Sequence, residues 1–95
     1  MVKVGFMVTV NFSPSIQRHK SCPVQNVQAG TLGDVLGRAM QAEPGLRSYV
    51  LDDQGHIRKH VAVFVNQNMH LPRNNLARTV AAGDTVLVIQ CLTGG

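Results

Sequence analysis

The sequence predicts an α+β domain, with a mixed four- to five-stranded sheet packed on one main helix (about residues 31–43) and a free C-terminal tail. Three observations predict it. Apolar residues occupy every second position from Val2 to Phe12; a helical apolar stripe runs from Leu32 to Met40; and two aliphatic runs, Val61–Val65 and Thr85–Gln90, follow after a polar break. Residues 1–91 form one domain and residues 92–95 a flexible tail.

In the first element, Val2, Val4, Phe6, Val8, Val10 and Phe12 give six matches to a period of two. This is a strand with one face in the core, or the first arm of a hairpin. Ser13-Pro14-Ser15 ends it. A weaker strand is expected between Lys20 and Gln28 with Cys22, Val24 and Val27 inward, and Pro23 assigns it to an edge or a bulge. Thr31 is a good helix N-cap, and Asp34 three residues on complements the positive helix terminus. Leu32, Val35, Leu36, Ala39 and Met40 then line one face, and Glu43-Pro44-Gly45 is expected to stop the helix. Gly33 and Gly37 each weaken it by up to ~1 kcal/mol relative to alanine while permitting close approach. Residues 46–56 read as a loop, with Asp52-Asp53-Gln54-Gly55 as a turn. Val61–Val65 is a strong strand closed by Asn66-Gln67-Asn68. Residues 69–82 read as irregular, with Leu71, Leu76 and Val80 as core plugs, and Gly83-Asp84 leads into the last strand. The first and last strands are expected side by side as a parallel central pair.

Composition narrows the function. A chain of 95 residues with 44% apolar and 15% charged residues builds one compact core. One small core leaves little room for a deep catalytic cleft, which favours a carrier or binding module. The net charge of +4 is scattered, apart from Arg18-His19-Lys20 and Arg58-Lys59-His60. With four aromatic residues in all, the basic stripes with interleaved stacking rings that mark nucleic-acid binding are not seen, and nucleic acid is not expected as a partner. A solvated basic surface remains, able to steer an acidic partner. Cys22 and Cys91 are too few for a disulfide framework, a zinc site or an iron–sulfur cluster. The N-terminal residues do not read as a signal peptide, and no apolar run approaches the ~20 residues of a membrane span. The cytosol is the expected compartment, and no membrane is expected as a partner.

The chain ends Cys91-Leu92-Thr93-Gly94-Gly95, directly after the strongest strand. At ~7% background glycine, two terminal glycines arise by chance in ~0.5% of chains, so coincidence is a weak explanation. A Gly-Gly segment lacks Cβ atoms and threads a narrow channel. Residues 92–95 extended reach ~13 Å, which would carry a terminal carboxylate into a partner's active site.

The pattern Phe64-Val65-Asn66, Gly83-Asp84-Thr85-Val86 and a hydrophobic strand ending Leu92-Thr93-Gly94-Gly95 resembles the ThiS/MoaD-type sulfur-carrier family, whose fold is the ubiquitin-like β-grasp. Ile57-Arg58-Lys59-His60-Val61 resembles the matching stretch of the longer members, which serve cysteine or molybdopterin pathways. The similarity is clearest over residues 57–95. It implies a non-catalytic co-substrate rather than an enzyme. A ubiquitin-activating-enzyme-like adenylyltransferase, using ATP and magnesium, would adenylate the carboxylate of Gly95. A persulfide or sulfide donor would then displace AMP and leave a thiocarboxylate for a downstream synthase in cofactor or cysteine and metabolite biosynthesis. Gly94 and Gly95 would form the reacting end, Thr93 and Leu92 the part that occupies the partner's channel, and the chain itself would bind no cofactor. A metalloprotease is a further candidate client. Conjugation of the same glycine to lysines, as a ubiquitin-like modifier does, is the alternative, and a β-grasp binding module with an accidental ending is a third reading.

Period two carries one more expectation. If Val86 and Val88 face the core with Val61, Val63 and Val65, then Leu87, Ile89, Ala62 and Phe64 face outward as a partner-docking patch beside the tail. Other candidates carry less. His56 and His60 stand ~13 Å apart on an extended chain, too far for one metal ion, and read as surface histidines. Cys91 reads as a small half-buried apolar residue, and Asp52 and Asp53 as turn formers rather than a catalytic pair.

Overall fold

A computed structural model describes residues 7–18, 24–41 and 43–91. The expectations placed on Val2, Val4, Phe6, Cys22, Pro23 and the tail Leu92–Gly95 lie outside them.

The alternation in the first segment does what period two requires. In strand β1 (Met7–Phe12), Val8, Val10 and Phe12 are buried, while Met7, Thr9 and Asn11 are turned to the other face. A short helix α1 (Pro14–Gln17) starts at the predicted break and drops Ile16, wholly buried, into the core. Strand β2 (Gln25–Gln28) pairs antiparallel with β1 and is an outer strand of the sheet, as Pro23 suggested. It is shorter than expected. The described ladder ends at the Val10–Gln25 pair, so Val24 lies beyond it, 55% exposed, while Val27 is inward.

Strand β3 (Gly30–Thr31) leads into helix α2 (Leu32–Ala39). The predicted cap is present, because Thr31 Oγ1 accepts the Asp34 N–H at 3.1 Å. Leu32, Val35, Leu36, Ala39 and Met40 are all buried. The helix ends at Ala39, four residues short of the expected stop. Pro44 does not mark the end of that helix but opens another, α3 (Pro44–Val50), at the position where a missing N–H costs nothing. Leu46 and Val50 sit i, i+4 on its inner face and are wholly buried, so the expected loop over 46–56 is half helix. The predicted turn is retained: Asp52 Oδ1 accepts the N–H groups of Gln54 and His56, both at 2.9 Å, and Gly55 takes φ +82°.

Strand β4 (Val61–Val65) turns through Asn66 and Gln67, at φ 50° and 73°, into β5 (Asn68–Met69). Two successive residues of positive φ make the type of hairpin whose twist matches its strands. Of the three expected plugs, Val80 is buried and Leu76 packs against the core, but Leu71 is 63% exposed. His70 takes that place and is 2% exposed, because β5 turns the residue after Met69 inward, with its N–H donated to the Val63 carbonyl. Strand β6 (Thr79–Val80) pairs with β3, and β7 (Thr85–Gln90) is the last strand among the described residues.

The main sheet has the order β2-β1-β7-β4-β5, with β1 and β7 parallel at its centre and the remaining pairs antiparallel. Val10 opposes Val86, and Val63 opposes Val88, so three strands present one aliphatic surface to the α2 stripe. Each buried valine or leucine there stabilises the fold by about 1.5–3 kcal/mol. Among the described residues, no helix is long and apolar enough to cross a membrane.

Candidate functional site

Burying one face of β4 and β7 leaves the other face on the outside. Phe64 stands opposite Leu87, and Ala62 opposite Ile89. Phe64 and Ile89 are half-buried and Leu87 is 37% exposed. With Asn11, Asn66, Gln67 and Thr85 they line a groove of about 620 Å³. Ala62 differs from the other three: it is buried, outside the main core cluster, and adds nothing to the exposed surface. Its methyl group is too short to rise above the neighbouring side chains. Sequence reasoning also missed the groove's polar rim, because Asn11 is placed opposite Leu87 by the β1–β7 register alone.

One end of the groove is held by a compact set of hydrogen bonds. Asn66 Nδ2 donates to Asp84 Oδ1 at 2.9 Å, and Asn66 Oδ1 accepts the Thr85 N–H at 2.9 Å. Asp84 Oδ2 accepts the Ala81 N–H at 2.9 Å, while the Asp84 carbonyl accepts the Thr9 N–H at 3.1 Å. Gly83 takes φ +90°, which a side chain would resist, and donates its N–H to the Met7 carbonyl at 2.9 Å. Asn66 and Gly83-Asp84-Thr85, separate motifs in the sequence, thus form one staple across β4, β7 and β1.

At the other end β7 runs out toward the tail. The Cys91 N–H donates to the His60 carbonyl at 2.7 Å, and the Tyr49 hydroxyl donates to Gln90 Oε1 at 2.8 Å. Tyr49 meets His60 edge to face, with ring centroids 4.6 Å apart. His60 is therefore half-buried, with Nε2 enclosed and unpaired, rather than a surface histidine. His56 is exposed, and Cys91 is a half-buried free thiol. Tyr49 escaped the sequence reading because α3 was read as loop, and only helical spacing carries it to the strand end. Gly94, Gly95, Thr93 and Leu92 lie outside the described residues. Among the described residues, no group of three or more His, Cys, Asp or Glu side chains is placed to hold a metal ion.

A parallel central pair with antiparallel arms, crossed on one face by a capped helix and, among the described residues, open on the other, defines a protein of the ubiquitin-like β-grasp fold. The fold is the one that the resemblance in the sequence implies. SAMP1 from Haloferax volcanii superposes with a TM-score of 0.76 at 24% identity, over 94% of this chain and 99% of that one. The Haloferax volcanii HVO 2177 protein gives 0.69 at 26% identity, over 100% and 92%. A chain of the Amycolatopsis orientalis BexX/CysO complex gives 0.76 at 18% identity, over 93% and 99%. No family model and no curated protein matches the sequence.

Proposed function

We propose that this protein is a sulfur carrier, a non-catalytic co-substrate whose Gly95 carboxylate, in the form that ends there, is adenylated and then converted to a thiocarboxylate. The observation that carries this reading is the junction at Gln90-Cys91. The central strand of a β-grasp sheet ends beside an open apolar groove and leads directly into Leu92-Thr93-Gly94-Gly95.

The chemistry is set by the carboxylate. Its direct substitution would expel oxide, a hopeless leaving group. Attack of the carboxylate oxygen on the α-phosphorus of ATP, with magnesium on the phosphates, expels pyrophosphate and gives an acyl-adenylate. Hydrosulfide then adds to the acyl carbon, the acyl–oxygen bond to AMP breaks, and a proton is released. The product is a sulfur nucleophile held on a protein arm, so free sulfide does not reach the next enzyme. The ATP, the metal and the catalysis belong to a ubiquitin-activating-enzyme-like partner, whose footprint includes Phe64, Leu87 and Ile89. That a neighbour of this fold, in the BexX/CysO complex, is held by another protein supports docking of this chain to a partner.

A neighbour described as a small archaeal modifier protein favours a second reading, conjugation of Gly95 to lysines. Intact-mass analysis separates the two after incubation with ATP, magnesium, an adenylyltransferase and a sulfur donor. Exchange of one oxygen for sulfur on the chain supports the carrier, and ladders on other proteins support the modifier. Removal of Gly95 is expected to leave the melting temperature unchanged and abolish the mass gain. Retention of the gain would refute the tail chemistry.

A further inference from the structure

A second concavity lies beside the tail root, sharing His60 with it. It encloses about 460 Å³ and is walled by Asp52, His56, Arg58, Lys59, His60 and Arg73. Three cations meet in it, and the two arginines are held by backbone oxygens. Arg58 Nε donates to the Ser48 carbonyl at 2.7 Å, while Arg73 Nη2 donates to the carbonyls of Arg58, at 2.5 Å, and Val61. The carboxylate in the wall, Asp52, is engaged chiefly by its own loop, where Oδ1 accepts the N–H groups of Gln54 and His56, and it feels the Arg58 charge only as a minor influence. Carbonyl contacts fix the plane of a guanidinium without neutralising it, and most of its five N–H donors remain. Lys59 is exposed. The result is a preorganised cationic fork in a chain that already carries a net charge of +4.

Its position decides what it meets. The Cys91–His60 hydrogen bond places Cys91 at the edge of this cleft. A protein that draws Gly95 into its active site must cover the tail root, since four extended residues reach only ~13 Å. Its footprint then spans Ile89 on one side and Arg58 and Lys59 on the other. We propose that the Arg58–Lys59–Arg73 cleft receives an acidic segment of the adenylyltransferase, carboxylates pairing with the guanidinium forks while the groove takes an apolar surface. This rests on the carrier reading above. Such a charged flank sets encounter rate and register, whereas the apolar groove holds the complex.

The test begins with the full-length protein and an acetylated, amidated hexaglutamate peptide, monitored by amide chemical shifts. Shifts are expected at residues 56–60 and 73–74, weakened in Lys59→Glu and on raising salt from about 50 to about 200 mM, where screening shortens the reach of charge. No shifts, shifts unaltered in Lys59→Glu, or tighter binding of inorganic pyrophosphate than of the peptide would overturn the proposal. With an adenylyltransferase that turns over the wild-type chain, Lys59→Glu is expected to raise KM about tenfold at unchanged kcat and to flatten its salt dependence. Lys59 is exposed and outside the core, so the variant folds, and an unaltered KM overturns the proposal. Failure of the carrier reading registers separately, as absence of a mass gain on the wild-type chain.

Discussion

Replacing Asn66 by alanine removes both side-chain bonds of the staple, to Asp84 Oδ1 and from the Thr85 N–H, and places a Cβ-bearing residue without a polar side chain at φ 50°. Each bond contributes about 0.5–1.5 kcal/mol. The left-handed backbone costs an ordinary residue roughly 1 kcal/mol more than it costs asparagine. The expected loss is about 2–4 kcal/mol, which in a domain of this size lowers the melting temperature by roughly 4–8 °C per kcal/mol. Asn66→Gly keeps the backbone and loses only the bonds, so it should recover roughly 1 kcal/mol of that loss. Asp84→Ala breaks the bond it shares with Asn66 and its own bond to the Ala81 N–H. A double-mutant cycle should therefore show a coupling near ~1 kcal/mol, the contribution of the one shared bond. Urea unfolding monitored by far-UV circular dichroism suits a chain with no tryptophan and one tyrosine. Effects of Asn66→Ala and Asp84→Ala that add to within about 0.3 kcal/mol would refute the staple as a unit.

The same geometry yields other expectations. Phe64→Asp with Ile89→Asp should leave the protein folded, because both side chains are half-exposed on the face away from the core, and should abolish adenylation; unaltered turnover would exclude the groove from the docking surface. Gly37→Ala should raise stability by up to ~1 kcal/mol in the same urea assay, since a Cβ at that helical position meets nothing within 4 Å, and any destabilisation would refute this. His70 is held below its ordinary value of 6.5, chiefly by burial and further by the Arg78 charge, against a smaller opposing hydrogen bond to the Asn75 backbone. The unfolded chain therefore takes up that proton first. Its contribution is complete above about pH 6.5 and is lost as the pH falls toward the folded value. Urea midpoints at pH 7.5 and pH 5.5 should fall with pH, and less steeply in His70→Asn; an equal slope in the two proteins would count against the assignment.

Much of the site could be read locally. Thr31 and Asp34 cap the helix through a contact three residues long, and period two assigns the inner and outer faces of β4 and β7 without knowledge of their neighbours. The local reading failed wherever the outcome depends on distant chain. Pro44 terminates or begins a helix according to which side holds buried partners, and Leu46 and Val50 supply them only in the folded core. Leu71, expected as a core plug, is exposed and His70 is buried instead because the β4–β5 turn sets the phase of residues 70 and 71, and hydropathy alone favours the leucine. Ala62 shares the phase of Phe64 yet is covered, since exposure depends on side-chain height as well as direction.

The α+β class, the outward Phe64, Leu87 and Ile89, and the Gly94-Gly95 ending are legible in the order of residues, because periodicity and terminal composition are properties of chain neighbours. Folding, by contrast, brings Asn66 and Asp84, 18 residues apart, into one hydrogen bond, and carries Tyr49 to Gln90 across 41. It also sets the cationic cleft of Arg58, Lys59 and Arg73 beside the tail root. Contacts at that separation are selected by packing of the core, which fixes where each strand ends and so what stands beside it.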